Sequence, residues 1–394
     1  MPYYYEIKWM PEDMRERTLS GLERLRDQLD AEMPSKTRTE TLILGTWNIR
    51  NFDDNRFVNG KRTKEDLFYI AEITSRFDII AVQEICEDLG PIDELMRILG
   101  RDYDYIVTDK TEGRSGNDER LGFIFDTAKV KFMGVAGELV LPESMEIIHD
   151  EKKRQFSRTP YMCEFQSGWF KFKFSTVHIY FGDNTGPKFE RRIKEIKTVA
   201  EFLASRAEDD DSNHVLVGDF NIKKVGSRGF NALEDSGFTV FQNDEGSNKD
   251  QTKFYDQISF MSKRNRVQIR SGPNSKGVLQ FFDSIFKKED FLVYRGVLLE
   301  AMEEKIANFR GKIQDTKKKL GRAQTSSSKE KHRERIQNLE DDIADVERKM
   351  ADDSELEKYY LKEWRTFHAS DHLPLWVELR IDFSEEYLTR LATL

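Results

Sequence analysis

The chain has 394 residues, 38% hydrophobic and 34% charged, and is long enough for one large domain and an accessory element. Its formal net charge of −9 argues against a protein that coats DNA, although a local positive field would still permit a nuclease. No apolar stretch is long enough to span a bilayer, and no signal peptide is evident. Cys86 and Cys163 occur in apolar contexts that favour buried free thiols, so we expect a cytoplasmic protein.

The first predicted element is an amphipathic helix near the N-terminus. Its apolar side contains Leu19, Leu22, Leu25 and Leu29. A polar linker follows, and we assign residues 1–39 to a helical N-terminal region. This helix is expected either to pack on the next domain or to bind a partner.

Predicted strands and helices alternate through residues 40–296. Apolar residues recur at helical spacing over residues 64–76 and 188–207, and strand-like apolar runs include residues 78–84 and 169–180. No Gly-rich phosphate loop follows the first strand. The alternation therefore favours a layered α/β sandwich over a nucleotide-binding fold.

Two heptad-like runs interrupt this alternation. Apolar residues recur in steps of three and four from Leu299 to Leu320 and again from Ile336 to Met350, with charged residues between them. The polar break at residues 321–328 is short enough to predict an antiparallel helical hairpin. We interpret residues 297–363 as a coiled-coil hairpin inserted into the domain.

The hairpin is expected to be locally closed. A strand is predicted just before it, at Phe291–Tyr294, and residues 364–394 return the chain to the domain as a closing strand and a C-terminal tail. The hairpin is either a rigid decoration or an arm for a protein partner, for self-association or for substrate positioning. We favour interaction, because an isolated pair of helices leaves much of its apolar seam half covered.

Several strand-like runs end in polar side chains suited to phosphate and metal. The runs that end near Asn48, Glu84 and Asp219 each finish in an amide or a carboxylate. Ser370-Asp371-His372 comes directly before an apolar run that is typical of a closing strand. These strand ends suggest one site assembled from distant parts of the chain.

The order of these motifs resembles that of the endonuclease/exonuclease/phosphatase superfamily. The resemblance extends from about residue 41 to residue 383, with one large interruption. It implies an α+β fold in which two packed, mostly antiparallel β-sheets are flanked by helices as a four-layer sandwich. The motifs are Trp47-Asn48, Gln83-Glu84, His178, Gly218-Asp219-Phe220-Asn221, Tyr255-Asp256-Gln257-Ile258 and Ser370-Asp371-His372.

Three further segments narrow the resemblance to the deoxyribonuclease I-like branch. They are Gly113-Arg114, Glu119-Arg120 and Arg158-Thr159-Pro160. In that branch an arginine at the Arg158 position contacts substrate phosphate, and a guanidinium binds phosphate in a bidentate manner. Further phosphate contacts are expected from the basic loop after the Asp219 motif, with Lys223, Lys224 and Arg228.

Phosphodiester hydrolysis requires an activated water and a positive charge on the non-bridging oxygens. A hard divalent cation held by carboxylate and amide oxygens supplies that charge. Glu84 and Asn48 are the candidate ligands, and the resemblance adds Asp371. Mg²⁺ is the expected ion, and Mn²⁺ is expected to substitute for it.

Two histidines provide the acid–base chemistry, since imidazole exchanges protons near neutral pH. The resemblance pairs His178 with Glu119 and His372 with Asp256. We interpret His372 as the base or the water-positioning residue, and His178 as the acid or a phosphate contact.

Two more polar residues complete the catalytic set. Asp219 is expected to orient the attacking water or to bind metal, and Asn221 to donate to a phosphate oxygen. The leading hypothesis is a divalent-metal-dependent phosphodiesterase that cleaves nucleic acid as an endonuclease, with DNA favoured over RNA. The alternatives are a phosphatase or phospholipase for a small phosphorylated headgroup, and a module that recruits partners through the hairpin.

Overall fold

The computed structural model describes residues 2–52, 55, 58–111, 118–209, 212–262 and 266–393. The predicted motif Gly113-Arg114 lies outside the described residues. The strands are β1 (Thr41–Phe52), β2 (Ile79–Ile85), β3 (Tyr103–Val107), β4 (Arg120–Asp126), β5 (Lys131–Glu138), β6 (Ile147–His149), β7 (Lys152–Arg154), β8 (Tyr161–Ser167), β9 (Phe170–His178), β10 (Asn213–Asp219), β11 (Thr239–Val240), β12 (Asp256–Met261), β13 (Lys276–Val278) and β14 (Leu375–Arg380).

The helices flank these strands. They are α1 (Glu12–Glu32), α2 (Lys64–Thr74), α3 (Gly90–Leu99), α4 (Gly186–Asp209), α5 (Arg228–Asp235), α6 (Phe291–Arg322), α7 (Ser326–Ala351), α8 (Asp353–Tyr359), α9 (Arg365–His368) and α10 (Ser384–Ala392), with a π-helical turn at Tyr360–Trp364. None of the helices in the described part of the chain has the length and apolar character needed to cross a membrane.

Two six-stranded sheets form the centre of the molecule. One has the strand order β13-β14-β1-β2-β4-β3 and the other β11-β12-β10-β9-β8-β5. Within them only β1 with β2 and β9 with β10 pair in parallel; the other pairs are antiparallel. The predicted α+β four-layer sandwich is confirmed.

Aromatic side chains fill the space between the sheets. Phe123 of β4 lies 4.8 Å from Phe174 of β9 and 5.6 Å from Phe165 of β8, measured between ring centroids. All three rings are fully buried. Fully burying side chains of this size stabilises the fold by roughly 1.5–3 kcal/mol each. The packing therefore holds the two sheets, and the strand ends they carry, in a fixed relation.

Helix α1 packs on the domain. Leu22, Leu25 and Leu29 are buried, whereas Leu19 is half exposed. Gly21 permits this close approach, because a Cβ at that position would lie 2.1 Å from the Tyr69 hydroxyl of α2. This helix was expected either to pack on the domain or to bind a partner, and the structure shows that it packs on the domain.

The predicted strand at Phe291–Tyr294 was wrong, because these residues form the first turn of α6. Phe291 and Tyr294 are buried one helical turn apart, whereas Leu292 and Val293 are 73% and 55% exposed. A short apolar run is compatible with either a strand or a helix, and its tertiary contacts determine which of the two forms. Here the Tyr294 ring stacks on Tyr360, with the centroids 5.8 Å apart.

Helices α6 and α7 form a long hairpin whose two ends differ. At the distal end, the buried side chains of Ile313, Ile336 and Leu339 form a small cluster of their own. At the base, Met302 of α6 and Val346 of α7 belong to the main hydrophobic core. The proximal part of the hairpin is therefore integrated with the domain, and only the distal part forms a separate cluster.

Candidate active site

Strand register brings three ionisable side chains into one row across the second sheet. Asp219 at the end of β10 is paired with His178 of parallel β9 and with Asp256 of antiparallel β12. All three residues are buried. Because paired residues on adjacent strands project side by side, the register itself assembles this part of the site.

Glu84 reaches the same region from the first sheet. The β1–β2 register shifts after the Asn48–Gln83 pair, and Glu84 has φ = 62°, in the left-handed region that non-glycine residues rarely occupy. Its carboxylate accepts hydrogen bonds from Asn48 Nδ2 at 2.9 Å and from the Asn51 backbone N–H at 2.8 Å. Strained backbone of this kind is concentrated at functional sites.

Asn48 lies between the two sheets and is fully buried. Its Nδ2 donates both to Glu84 and to Asp219, the latter at 3.1 Å. Its Oδ1 is buried and has no hydrogen-bond partner among the described residues. A buried acceptor without a partner is costly, so an oxygen-seeking cation beside Glu84 would satisfy it.

The His178 side chain contacts two carboxylates. Its Nδ1 lies 3.0 Å from Glu119, and its Nε2 lies 3.5 Å from Asp219. Burial and the nearby Arg158 charge oppose protonation of His178, but Glu119 and Asp219 outweigh them and raise its pKa. Burial likewise opposes ionisation of Glu119, yet the charges of His178 and Arg158 lower the pKa of Glu119 to about 2. Glu119 is therefore ionised at neutral pH.

A second histidine approaches Asp219 from the loop that precedes the closing strand β14. His372 Nδ1 lies 2.7 Å from Asp256, and its Nε2 lies 3.8 Å from Asp219. Burial disfavours the imidazolium, but Asp256 and Asp219 raise the pKa of His372 well above its usual value. Burial and repulsion from Asp256 raise the pKa of Asp219. Asp219 is thus the carboxylate shared by both histidines.

Two groups of ligand-type side chains result. Glu84, Glu119 and His178 form one, and Asp219, Asp256 and His372 form the other; within each, the possible ligand atoms lie within 4.8 Å of one another. The predicted ligand Asp371 is in neither group. Its side chain is 38% exposed, and its carboxylate lies 3.7 Å from Arg50 Nη1.

Asn221 also lies at the site. It is buried and has φ = 54°, and its backbone N–H donates to Asp219 Oδ1 at 2.8 Å. Its side-chain Nδ2 donates to the Ile179 carbonyl at 2.9 Å. In this arrangement Asn221 orients Asp219 through its backbone, and one of its two side-chain N–H donors is engaged within the protein.

The four residues predicted to bind phosphate differ in their burial and in their polar partners. Arg158 is buried, and its Nε donates to Glu119 at 2.6 Å. Arg228 is exposed and forms a bidentate pair with Glu190 at 2.6 and 2.8 Å. Lys223 donates to Asn184, and Lys224 is exposed. Three of the four side chains therefore already have polar partners within the protein.

The linking role of the Ser370 hydroxyl was not predicted from the sequence. Its Oγ donates to the Asn48 carbonyl at 2.6 Å and accepts from the backbone N–H of Arg50 and of His372. This fully buried hydroxyl joins the end of β1 to the loop that holds His372. Its position beside Asp371-His372 was the only signal in the sequence, and a serine there is also typical of an ordinary turn.

Gln83 is a second missed residue. Its Nε2 donates to Thr176 Oγ1 of β9 at 2.8 Å and to Thr46 Oγ1 of β1 at 3.1 Å. This buried bond ties the strand that ends in Glu84 to the strand that ends in His178. No pattern in the sequence relates Gln83 to Thr176, which lies 93 positions away.

Comparison with known proteins gives similarities of fold at low identity. A mannosyl-6-phosphatase from Bacteroides thetaiotaomicron is 18% identical over 61% of this chain and 90% of its own, with a TM-score of 0.45. An endonuclease/exonuclease/phosphatase family protein from the same organism is 17% identical over 61% and 87%, with a TM-score of 0.45. The human Nocturnin catalytic domain is 14% identical over 58% and 85%, with a TM-score of 0.43. No protein-family model matches the sequence, and no curated protein matches it.

The chain has a two-sheet sandwich fold whose strand ends carry paired carboxylate and histidine groups.

Proposed function

We propose that the protein is a divalent-metal-dependent phosphodiester hydrolase that acts on nucleic acid. The observation that supports this most strongly is the Asp219 carboxylate, which lies between His178 and His372, each of which contacts a second carboxylate. Such an arrangement suits proton transfer on both sides of one reacting group.

Glu84 and Asn48 are proposed as the metal-holding residues. The Glu84 carboxylate and the partnerless Asn48 Oδ1 are the oxygen donors that Mg²⁺ or Mn²⁺ prefers. Asp371 is proposed only as an outer contributor, since its carboxylate contacts Arg50 instead. A bound cation would stabilise negative charge on the non-bridging phosphate oxygens.

Asp219 and the two histidines are proposed to handle protons. Asp219 and His372 orient the attacking water, and Asp256 holds the His372 ring through Nδ1. His178, held by Glu119, donates to the phosphate or to the leaving oxygen. The raised pKa values of both histidines favour their protonated forms, which suits stabilisation of a phosphate anion.

A small phosphorylated headgroup is the second candidate substrate. It is favoured by the engagement of Arg158 with Glu119 and of Arg228 with Glu190, which pairs two of the four predicted phosphate-binding cations with carboxylates. A compact headgroup needs fewer phosphate contacts than a nucleic-acid backbone does.

The test is incubation of the purified protein with plasmid DNA, single-stranded DNA, RNA and a phosphoinositide, each with Mg²⁺, Mn²⁺ or a chelator. We expect metal-dependent cleavage of nucleic acid, with DNA favoured over RNA. Release of phosphate from the phosphoinositide without cleavage of any nucleic acid would support the headgroup enzyme instead.

A further inference from the structure

The distal end of the hairpin concentrates positive charge in an acidic chain. Between Lys317 and Arg335 there are eight lysine and arginine residues and two glutamates, within a chain of net charge −9. Between Glu340 and Glu363, towards the base, there are ten acidic and four basic residues. We refer to Lys317–Arg335, which spans the end of α6, the turn and the start of α7, as the basic tip.

The cations of the basic tip are accessible to a ligand. Every one of the eight is exposed. Within the described chain Lys318 alone has an acidic partner, Asp315 at 3.2 Å, and exposed pairs of this kind are weak. The eight are Lys317, Lys318, Lys319, Arg322, Lys329, Lys331, Arg333 and Arg335.

The composition of the tip favours a phosphate polymer over a lipid surface. Helices that lie on membranes expose a broad apolar face beside their basic one. In the described chain, no large hydrophobic side chain is exposed between Val293 and Tyr387.

The apolar seam of the hairpin is also already occupied. Ile313, Ile336 and Leu339 are 7–9% exposed, because they pack against one another. A second copy or a protein partner would therefore find little uncovered apolar surface here, and two basic tips would repel each other. The sequence favoured a protein partner because the apolar seam of the hairpin was expected to be half covered. The structure shows a covered seam, so that reason no longer applies.

We propose that the basic tip binds the phosphate backbone of the nucleic-acid substrate at a distance from the catalytic groups. This inference rests on the proposed function. Helix α7 has 26 residues and is therefore about 39 Å long. From the base of the hairpin the chain continues through α8, the π-helical turn and α9 to Ser370-Asp371-His372, which joins the arm to the site along the chain.

The length of the arm sets a threshold for substrate length. A duplex that extends along the whole arm spans about 12 base pairs, at roughly 3.4 Å per pair. Binding of longer duplexes should then depend on the tip, whereas binding of shorter ones should not.

The test compares two triple variants of the full chain. The tip variant is Lys317→Gln/Lys319→Gln/Lys331→Gln, and the matched control is Lys131→Gln/Lys197→Gln/Lys288→Gln, at exposed lysines outside the hairpin. Glutamine keeps the helix propensity of lysine, and circular dichroism verifies folding. Affinities for 8- and 30-base-pair DNA duplexes are measured with chelator present, over a series of salt concentrations.

We expect the tip variant to bind the 30-base-pair duplex about tenfold more weakly, with a log–log salt slope flatter by about 0.9 for each phosphate that the protein no longer neutralises. Binding of the 8-base-pair duplex should stay unchanged, as should both affinities of the control. Equal losses in the tip variant and the control, or no loss on the long duplex, would overturn the proposal. So would tip-dependent binding to anionic vesicles or tip-dependent dimerisation in sedimentation, without an effect on DNA.

These results separate the two proposals. Tip-dependent DNA binding by a protein that cleaves no nucleic acid would contradict the proposed function and leave the arm as a binding element. If the tip variant cleaves long DNA as fast as the unmodified protein does, only the proposal for the basic tip is contradicted.

Discussion

Glu84 combines a strained backbone with two hydrogen bonds that hold its carboxylate beside Asn48. At the residue scale, the charged side chains of the site are stabilised by one another and by hydrogen bonds from neighbouring amide and backbone N–H groups. Removal of any one charge should therefore alter the protonation or metal affinity of its neighbours more than it alters the fold.

Glu84→Gln should abolish metal-dependent turnover, with a loss of about 100-fold or more at limiting Mg²⁺, because a cation loses several kcal/mol of attraction without the carboxylate. The fold should be retained, since the glutamine carbonyl can still accept from the Asn51 backbone N–H. Turnover and melting temperature are the measurements, with Glu87→Gln, an exposed neighbour, as control. Wild-type turnover in Glu84→Gln would refute the metal assignment.

Asp256→Asn should lower the pKa of His372, because Asp256 contributes to raising it. A histidine whose folded pKa is raised stabilises the fold below its unfolded pKa, and that contribution disappears as pH rises through the folded value. The substitution should therefore destabilise most at acidic pH and little at alkaline pH. NMR titration of His372 together with denaturant unfolding tests this; an unshifted His372 would contradict it.

At the element scale, the hairpin has an integrated base and an independent distal end. Met302 and Val346 belong to the main core, whereas Ile313, Ile336 and Leu339 pack among themselves. Sequence reasoning described the hairpin as one locally closed insertion. The difference arises because heptad spacing shows which side of a helix is apolar but not whether a partner helix or the domain covers it.

Replacing residues 311–342 with a short Gly/Ser linker should leave a folded and active domain. Arg310 and Glu347, 3.5 Å apart, show that the two helices are adjacent at this level, so a short connection can join them. Replacing residues 299–359 should instead give an insoluble or strongly destabilised protein, because it removes Met302, Ile306 and Tyr359 from the core. Solubility and melting temperature distinguish the two, and equal behaviour would show that the base contributes little.

At the scale of the whole molecule, two sheets contribute different parts of one site. The first supplies Asn48 and Glu84, the second supplies His178, Asp219 and Asp256, and the loop before β14 supplies His372. A nucleic-acid substrate must extend beyond these groups, so its binding should respond to cations that a small diester never touches.

Lys223→Ala/Lys224→Ala/Arg228→Ala should slow cleavage of long DNA mainly through weaker binding, and the salt slope should flatten by about 0.9 for each phosphate left without its cation. Because Arg228 is paired with Glu190, we expect the smallest share of this effect from Arg228. Turnover of a nitrophenyl phosphodiester should remain near wild type. Equal losses on both substrates would favour the headgroup enzyme.

The sequence by itself determined the layered α/β character of the fold and the polar ends of several strands. Apolar runs ending in Asn48, Glu84 and Asp219 identify strand ends, because buried strands and their polar termini are local patterns. The spacing of Leu22, Leu25 and Leu29 likewise identified the buried face of α1. These features follow from neighbouring residues alone.

Only the tertiary structure decided which side chains meet and which charges are neutralised. The Gln83–Thr176 bond, the three contacts of Ser370 and the pairing of Arg158 with Glu119 join residues distant in the chain. The helical start of α6 likewise depends on the contact of Tyr294 with Tyr360. Such contacts depend on strand register and packing between elements, which local periodicity does not specify.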